Sequence, residues 1–290
     1  NGWIFGFDAN TVCGLPLGKQ MKEVTFVLMT CGELTEKRCL AAIKPFRDDI
    51  DFFEVRNVYP QIKALKKMVR GVKTEFFVAL DADMILNHDA FPRIMNAIRK
   101  HRHKPDWHSI LFHLWDTLTE QNILALKVMR SEIMKEIVFE ETATPDVKHY
   151  ERLTDAGYTC IHDYLTKRPK PIGKHVVKGK HFCYHKYKDV YQTYKSHGFD
   201  WESGAFLGGE TLTERAKAHF HYFLKKWLDT NKKDYLWCIA GMMDGITSEV
   251  DNKSKNLKDK EYRYNTESGI HCFMDWYMDF GEEFQLDLLA

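Results

Sequence analysis

Residues 76–86 read FFVALDADMIL, and this stretch decides the fold expected for the chain. Its five leading apolar residues are too few for a helix and favour a strand buried on both faces. The run ends on Asp81 and Asp83. Alternate strand residues point to the same side, so we expect both carboxylates to project from the strand's carboxyl end, where ligands bind open α/β sheets. Two aligned carboxylates suit Mg²⁺ or Mn²⁺, and a solvated Asp pair in a turn is the alternative.

The segments before this strand alternate between strand and helix patterns. An apolar run at 24–30 precedes a glycine turn and a helical stretch at 34–46, and a strand pattern at 51–58 precedes a helix at 61–70. This βαβαβ order predicts a parallel sheet with right-handed crossovers. The sequence contains neither G-x-G-x-x-G nor G-x-x-x-x-G-K-[ST], so it has no dinucleotide fingerprint and no P-loop.

Periodic segments also follow the Asp pair. The Lys-, Pro- and Gly-rich stretch 166–180 indicates a loop or a boundary, and its basic residues either close over a bound phosphate or form a solvated linker. The pattern predicts strands at 109–115, 123–129 and 158–162, and helices at 89–100, 132–138, 147–156, 187–197, 211–228 and 234–246. Residues 1–23 are irregular, 251–264 are highly charged, and the tail from 270 is aromatic and amphipathic.

Composition indicates an ordinary globular protein. The chain has 290 residues, 44% of them hydrophobic, which is enough for a sizeable core. A net charge of +1 gives no support for a nucleic-acid partner. The seven cysteines are scattered and never form C-x-x-C, so we expect reduced thiols and a cytoplasmic protein. No apolar run approaches the ~18 to 20 residues that a bilayer span requires. The first residue is Asn, as expected of a trimmed chain or of one domain of a longer protein.

Two stretches together resemble a known family. The sequence TEFFVALDADMIL at 74–86, after the strands at 24–30 and 51–58, is similar to the nucleotide-sugar half of a GT-A glycosyltransferase, closest to family 2. The stretch TPDVKHYERLTDAGYTC at 144–160 resembles that family's acidic loop and following helix, with Pro145 where members often have Glu. The Q-x-x-R-W signature of processive members is absent, which argues against a polymer-extruding synthase.

The resemblance implies roles for the acidic residues. Asp83 would bind Mn²⁺ or Mg²⁺ directly, and Asp81 would contact the ribose of a UDP- or GDP-linked sugar donor, or the metal through water. Asp146 would be the general base of an inverting transfer to a glycan or other hydroxyl-bearing acceptor; capping the following helix is its plainer role. His185 falls where many members place a histidine that meets the metal or the diphosphate.

Other candidate contacts follow from the expected fold. Trp115 and Asp116, at a strand end beyond the Asp pair, are candidates for the acceptor pocket, although Trp is as often a core residue. Nucleotide contacts are expected at the ends of the first two strands and on the next helix: Thr30, Glu33, Arg56, Asn57 and Gln61.

We therefore predict an α/β protein with a GT-A, Rossmann-like, mostly parallel sheet and a helical C-terminal extension. The GT-A domain spans 1–205, with a nucleotide-sugar half at about 20–105 and an acceptor half at about 106–205; the extension spans 206–290. Its helices expose apolar residues at helical spacing, which need a partner surface and serve as acceptor wall, homo-oligomer contact or both.

Other functions share parts of this pattern. Haloacid-dehalogenase-type phosphatases also end a buried strand on D-x-D, but usually on the first strand, with the first Asp as nucleophile. A nucleotidyltransferase of related fold would need a glycine-rich, arginine-containing loop after its first strand, and TCGELTEKRC at 30–39 has one glycine. A non-catalytic sugar- or nucleotide-binding domain would keep the fold with a broken set of acidic residues. Here Asp81, Asp83 and Asp146 are all present.

Overall fold

The computed structural model describes residues 22–142, 144–162, 170–197 and 212–248. Within them the chain forms a mixed sheet flanked by helices, followed by further helices. The strands are β1 Val24–Thr30, β2 Asp51–Arg56, β3 Phe76–Asp81, β4 Met84–Leu86, β5 Trp107–Asp116, β6 Gln121–Arg130, β7 Thr159–His162 and β8 Gly173–His175. The helices are α1 Glu36–Ile43, α2 Gln61–Gly71, α3 Ala90–His101, α4 Ser131–Glu136, α5 Pro145–Asp155, α6 Lys180–His197, α7 Leu212–Thr230 and α8 Lys233–Thr247, with a 3-10 turn at Lys44–Phe46.

The first three strands form the predicted parallel unit. Strand β1 lies between β2 and β3 and is parallel to both, with Thr30 opposite Arg56 and Met29 opposite Asp81. The strand order is β2-β1-β3-β6-β5-β8-β4, with β7 beside β5, and β6 is antiparallel to its neighbours β3 and β5. The α/β class with a helical extension is confirmed, and the parallel ends of β1, β2 and β3 share one edge of the sheet.

Alternation along β1 and β3 explains why both strands are buried on two faces. Phe26 and Phe76 belong to the apolar cluster on one side of the sheet, whereas Val27 and Phe77 belong to the cluster on the other. All four side chains are fully buried. A strand covered on both faces reads as a continuous apolar run, which is the pattern seen at 76–80.

Two local expectations are wrong. The expected alternation of Asp81 and Asp83 along one strand is not seen, because β3 ends at Asp81, and Ala82 and Asp83 form a turn before β4. Asp83 therefore does not project by strand alternation. The stretch 166–180 is not only a loop, since β8 pairs parallel with β5 and antiparallel with β4.

The C-terminal helices form a third apolar cluster with α6. Phe220 and Phe223 of α7 are buried in this cluster, so the predicted apolar face of α7 packs against α6 and α8. Helices α6 and α8 can pack closely because Gly241 has no side chain. A Cβ at this position would lie 2.0 Å from the carbonyl oxygen of Tyr184. The predicted boundary at 205 and the segments 1–21, 251–264 and 270–290 lie outside the described residues.

The described cysteines and helices bear on two further expectations. Cys31, Cys39, Cys160, Cys183 and Cys238 are free thiols. None of the helices in the described ranges combines the length and apolar character needed to span a bilayer.

Candidate active site

One cleft opens at the sheet edge where β1 and β3 end, with a volume of about 430 Å³. Five of its lining residues carry carboxylates and, within the described ranges, only Lys186 contributes an ammonium group. The carboxylates are Glu33, Asp81, Asp83, Asp146 and Asp189. Such an excess of acidic groups favours a bound cation.

Asp83 lies beside a histidine that the sequence did not single out. Strand β8 runs between β4 and β5, with His175 opposite Met84 on one side and Asp116 on the other. The imidazole Nε2 is 3.1 Å from Asp83 Oδ2, and Nδ1 is 2.7 Å from Asp116 Oδ2. Burial and the Lys186 ammonium lower the pKa of His175, but the Asp83 and Asp116 carboxylates outweigh them and leave this pKa raised.

Asp81 ends β3 in a half-buried position that lines the cleft. Burial, the neighbouring Asp83 and then Glu33 raise the pKa of Asp81 to about 7, against the opposing charges of His175 and Lys127. We call Asp81, Asp83, His175 and Asp116 the carboxylate wall. Its negative charge is only partly compensated within the protein.

Asp146, another carboxylate of the cleft, has different neighbours. Asp146 is the second residue of α5, after Pro145, so it lies in the first helical turn and is not the N-cap, which is Thr144. Its Oδ2 is 3.5 Å from Lys127 Nζ on β6, and the same ammonium lies 4.1 Å from the ring centre of Tyr150. Burial lowers the pKa of Lys127, but Tyr150, Asp146 and Asp81 outweigh it and leave this pKa raised. The carboxylate is thus already balanced by a cation.

Behind this pair lie two buried histidines. The His108 ring is 5.4 Å from Tyr150, and the His149 ring stacks on Phe139 at 4.0 Å. Each is 1% exposed, and burial lowers the pKa of each to about 4. We call Lys127, Asp146, Tyr150, His108 and His149 the lysine wall.

The predicted nucleotide contacts divide into two groups. Thr30, Glu33 and Gln61 line the cleft, together with Tyr59. The Thr30 hydroxyl is 2.7 Å from Glu33 and 2.7 Å from Glu36.

Arg56 and Asn57 are not among the described lining residues. Arg56 pairs with Glu36 at 2.7 Å and with Glu54 at 2.8 Å, and the exposed Asn57 forms a turn with positive φ. As nucleotide contacts they stay predictions.

The predicted metal and acceptor candidates also occupy different positions. His185 lies on α6, 9% exposed, with its ring 4.5 Å from that of His181, and it is not among the described residues that line the cleft. Its metal role stays a prediction. Trp115 is 37% exposed, whereas Asp116 is buried behind His175 and outside the described lining of the cleft. A direct acceptor contact by Asp116 is therefore wrong, because its carboxylate is engaged by His175.

Sequence reasoning missed His175 and Lys186. The three residues of β8 are too short to show a period, and their Lys-, Pro- and Gly-rich surroundings hid them. Lys186 follows the predicted His185 directly and lies 3.4 Å from His175 Nδ1. The spacing of Asp83 and His175 along the chain carries no signal, since only the β4–β8 pairing brings them together.

The chemistry of the donor set fits Mn²⁺ or Mg²⁺. Within the described ranges, no three His, Cys, Asp or Glu side chains are already arranged around one point where an ion would sit. Such cations commonly take one or two carboxylates and complete their coordination with substrate phosphates and water. Asp81 and Asp83 supply hard oxygens and His175 a borderline nitrogen, a combination that Mn²⁺ accepts.

Comparisons with known proteins give likenesses at low identity. No protein-family model matches the chain, and no curated protein is significantly similar to it in sequence. A mannosyltransferase from Pyrobaculum calidifontis, solved with GDP-Man and Mn²⁺, is 13% identical over 78% of this chain and 75% of that one, with a TM-score of 0.46.

Two bacterial proteins give similar values. Glucosyl-3-phosphoglycerate synthase from Mycobacterium tuberculosis is 11% identical over 62% and 80% of the two chains, with a TM-score of 0.41. S. aureus TarS is 10% identical over 77% and 89%, with a TM-score of 0.40. Because all three TM-scores are below 0.5, these likenesses do not assign a function to this chain.

Proposed function

We propose that this protein is a metal-dependent glycosyltransferase that moves a sugar from a nucleotide-sugar donor to an acceptor hydroxyl with inversion of configuration. One observation carries the proposal: a single cleft at the carboxyl edge of a nucleotide-binding type of sheet is lined by Asp81, Asp83 and Asp146. This arrangement supplies a place for the leaving group and a separate base for the acceptor.

The donor half of the cleft would hold the nucleotide. Tyr59 and Gln61 offer a ring and an amide to the base, and Thr30 and Glu33 offer hydrogen-bonding groups to the ribose at the end of β1. The diphosphate would then lie towards the carboxylate wall, with a cation held by the carboxylates of Asp81 and Asp83 and by the imidazole of His175. When bound, the cation offsets the negative charge that develops on the departing diphosphate.

The acceptor half would hold the nucleophile. Asp146 accepts the proton of the acceptor hydroxyl as its oxygen attacks the anomeric carbon. Lys127, 3.5 Å away, orients this carboxylate from behind. Residues of α6 that line the cleft, among them Phe182, Asp189 and Tyr194, would form the acceptor wall.

Inversion is expected if the base and the leaving group act on opposite faces of the bound sugar. An oxygen activated at Asp146 reaches the anomeric carbon from the face opposite the diphosphate, in one displacement. Retention through a covalent intermediate would require a second carboxylate beneath the sugar as nucleophile. A phosphatase of the D-x-D type is less well supported, since Asp81 ends the third strand of the described residues and not the first.

The test is a screen of UDP-, GDP- and dTDP-sugars by thermal unfolding with and without Mn²⁺. A donor that binds the folded protein raises the midpoint in a concentration-dependent way. We expect one base to raise it in the presence of Mn²⁺ only. Calorimetry would then give its affinity, and NMR of the product formed from a sugar acceptor would give the anomeric configuration. Absence of any Mn²⁺-dependent shift with all three bases would contradict the proposal.

A further inference from the structure

The imidazole of His175 meets a different carboxylate at each nitrogen. Nε2 faces Asp83 at 3.1 Å, on the cleft side, and Nδ1 faces Asp116 at 2.7 Å, on the buried side. A carboxylate can only accept, so in the metal-free cleft Nδ1 donates a proton to Asp116 and Nε2 donates one to Asp83. A cation bound at Asp83 would take the place of the Nε2 proton and leave the Nδ1 proton on Asp116. The ring is therefore oriented from behind before any ligand enters the cleft.

Asp116 is itself held in place. It is 2% exposed, and its Oδ1 accepts hydrogen bonds from the backbone N–H groups of Leu118 at 2.9 Å and Thr119 at 2.8 Å. Only Oδ2 is directed to His175, and Lys186 Nζ lies 3.7 Å from the same oxygen. The two oxygens thus have separate tasks, one in the turn after β5 and one at the histidine.

We propose that Asp116 is a positioning residue for the metal site: it fixes the proton of His175 on Nδ1, so that Nε2 presents its lone pair to the cation held at Asp83. The inference rests on the proposed function, because it assumes that a cation binds there. A histidine ligand that donates its other N–H to a carboxylate has a fixed tautomer and a fixed ring plane. Asp116 acts on the site without contacting substrate.

The Asp116→Asn substitution separates the two tasks. The amide oxygen can keep the two backbone hydrogen bonds, and the amide nitrogen then takes the place of Oδ2. An amide N–H₂ group can only donate, so His175 Nδ1 must become the acceptor and the ring proton moves to Nε2. A protonated Nε2 cannot bind a cation. We expect Mn²⁺ affinity to fall by about 10- to 100-fold, the range for losing such a partner.

The experiment measures Mn²⁺ binding by the full chain, with GDP and with UDP present, by electron paramagnetic resonance of free Mn²⁺. The proteins are the unaltered chain, Asp116→Asn, His175→Gln and the double variant, with Asp83→Ala to mark loss of the site. Asp89→Asn is the matched control, since it also removes a carboxylate that pairs with a lysine, Lys170 at 3.3 Å, outside the described lining of the cleft. We expect Asp89→Asn to bind like the unaltered chain.

The double-mutant cycle distinguishes positioning from general damage. If Asp116 acts through His175, Asp116→Asn lowers the affinity of the unaltered chain but has no further effect in the His175→Gln background. An equal loss in both backgrounds, or no loss in either, would overturn the inference. If circular dichroism shows that Asp116→Asn does not fold, the cycle is run with Asp116→Ser, whose hydroxyl keeps a turn acceptor but is too short to reach His175.

Failure of the proposed function gives a different result. If the unaltered chain and Asp83→Ala bind Mn²⁺ equally weakly, the metal site is absent, and both the function and the inference are overturned. If Asp83→Ala abolishes binding while Asp116→Asn binds like the unaltered chain, the metal site stands and only the role of Asp116 is wrong.

Discussion

The carboxylate wall and the lysine wall place their histidines in opposite environments. On the carboxylate wall, His175 lies between Asp83 and Asp116, and its pKa is raised. On the lysine wall, His108 and His149 are buried, no hydrogen-bond partner for their ring nitrogens is found among the described residues, and their pKa values are lowered to about 4. The histidine of the carboxylate wall therefore binds its proton more tightly than a free imidazole, whereas the two histidines of the lysine wall bind a proton less tightly.

This difference separates two kinds of acidic residue. Asp146 has Lys127 as a fixed partner, so its charge is balanced when the cleft is empty. Asp81 has Asp83 and Glu33 as neighbours of like charge, which raise its pKa to about 7 together with burial. A carboxylate with like-charged neighbours gains most from a bound cation, whereas the carboxylate of Asp146 already has one in the Lys127 ammonium.

The largest effect is expected for Asp83→Ala on the carboxylate wall. Removing this carboxylate should abolish Mn²⁺-dependent binding of the nucleotide, because the cation loses its direct oxygen ligand. The fold should persist, since Asp83 lies in a turn and not in the core. Calorimetry with the donor and Mn²⁺ checks this, with Asp89→Ala as control. Undiminished Mn²⁺-dependent binding would show that the assignment is wrong.

On the lysine wall, Asp146→Asn should lower kcat by ~10²-fold or more, the scale for losing a general base, with donor affinity nearly unchanged. The amide keeps the shape of the carboxylate but cannot take the proton. Initial rates and donor titrations measure the two quantities separately. Wild-type turnover in this variant, or a product that keeps the donor's anomeric configuration by NMR, would count against Asp146 as the base.

The two walls should also differ in pH response, first in metal binding. A proton on Asp81 competes with Mn²⁺, so affinity should fall by about tenfold per pH unit below about 7, and level off above it. In the metal-free protein the raised pKa of Asp81 has the opposite effect on folding stability. The folded state holds the Asp81 proton more tightly than the unfolded state, so this contribution to stability is lost as the pH rises from the ordinary pKa of an aspartic acid to about 7. Mn²⁺ titrations at pH 5, 6, 7 and 8 test this. Asp81→Asn should bind more weakly and with a flatter dependence, and an unchanged slope would contradict the prediction.

The smallest effect concerns stability of the lysine wall. Between pH 6.5 and pH 4 the unfolded chain protonates His108 while the folded chain does not, so acid destabilises the protein. This contribution is about 2 kcal/mol between pH 7 and pH 5. His108→Leu should remove it, which urea unfolding at the two pH values would measure. The exposed His103→Leu is the matched control. If both variants keep the pH slope of the unaltered chain, His108 does not contribute as stated.

The sequence predicted the parts of the site that depend on one strand at a time. The run before Asp81 is continuous and apolar because β3 is covered on both faces, so both the strand and its polar end were visible. Thr30 and Glu33 were found by the same logic, since β1 is parallel to β3 and ends at the same edge.

What the sequence missed depends on contacts between distant segments. His175 reaches Asp83 only because β8 pairs with β4, and no local pattern marks a three-residue strand. The ion pair of Arg56 with Glu36, twenty residues earlier, was also not predicted, and a nucleotide contact by Arg56 stays a prediction. Asp116 was expected at the acceptor but is turned inward by His175. In each case a tertiary partner decides which way a polar side chain faces.

The close packing of α6 against α8 has a consequence for the choice of acceptor. Gly241 and Gly245 leave no space for a side chain, since a Cβ at Gly245 would lie 2.6 Å from the carbonyl oxygen of Lys188. Helix α6 also lines the cleft with Phe182, Asp189 and Tyr194, and Tyr194 belongs to the apolar cluster that α6 forms with α8. A larger residue at either glycine would move α6 away from α8. The position of α6, and with it the shape of the cleft, therefore depends on these two glycines. If the proposed function holds, a larger residue at Gly241 or Gly245 should change which acceptors the cleft takes, although neither glycine is among the described residues that line it.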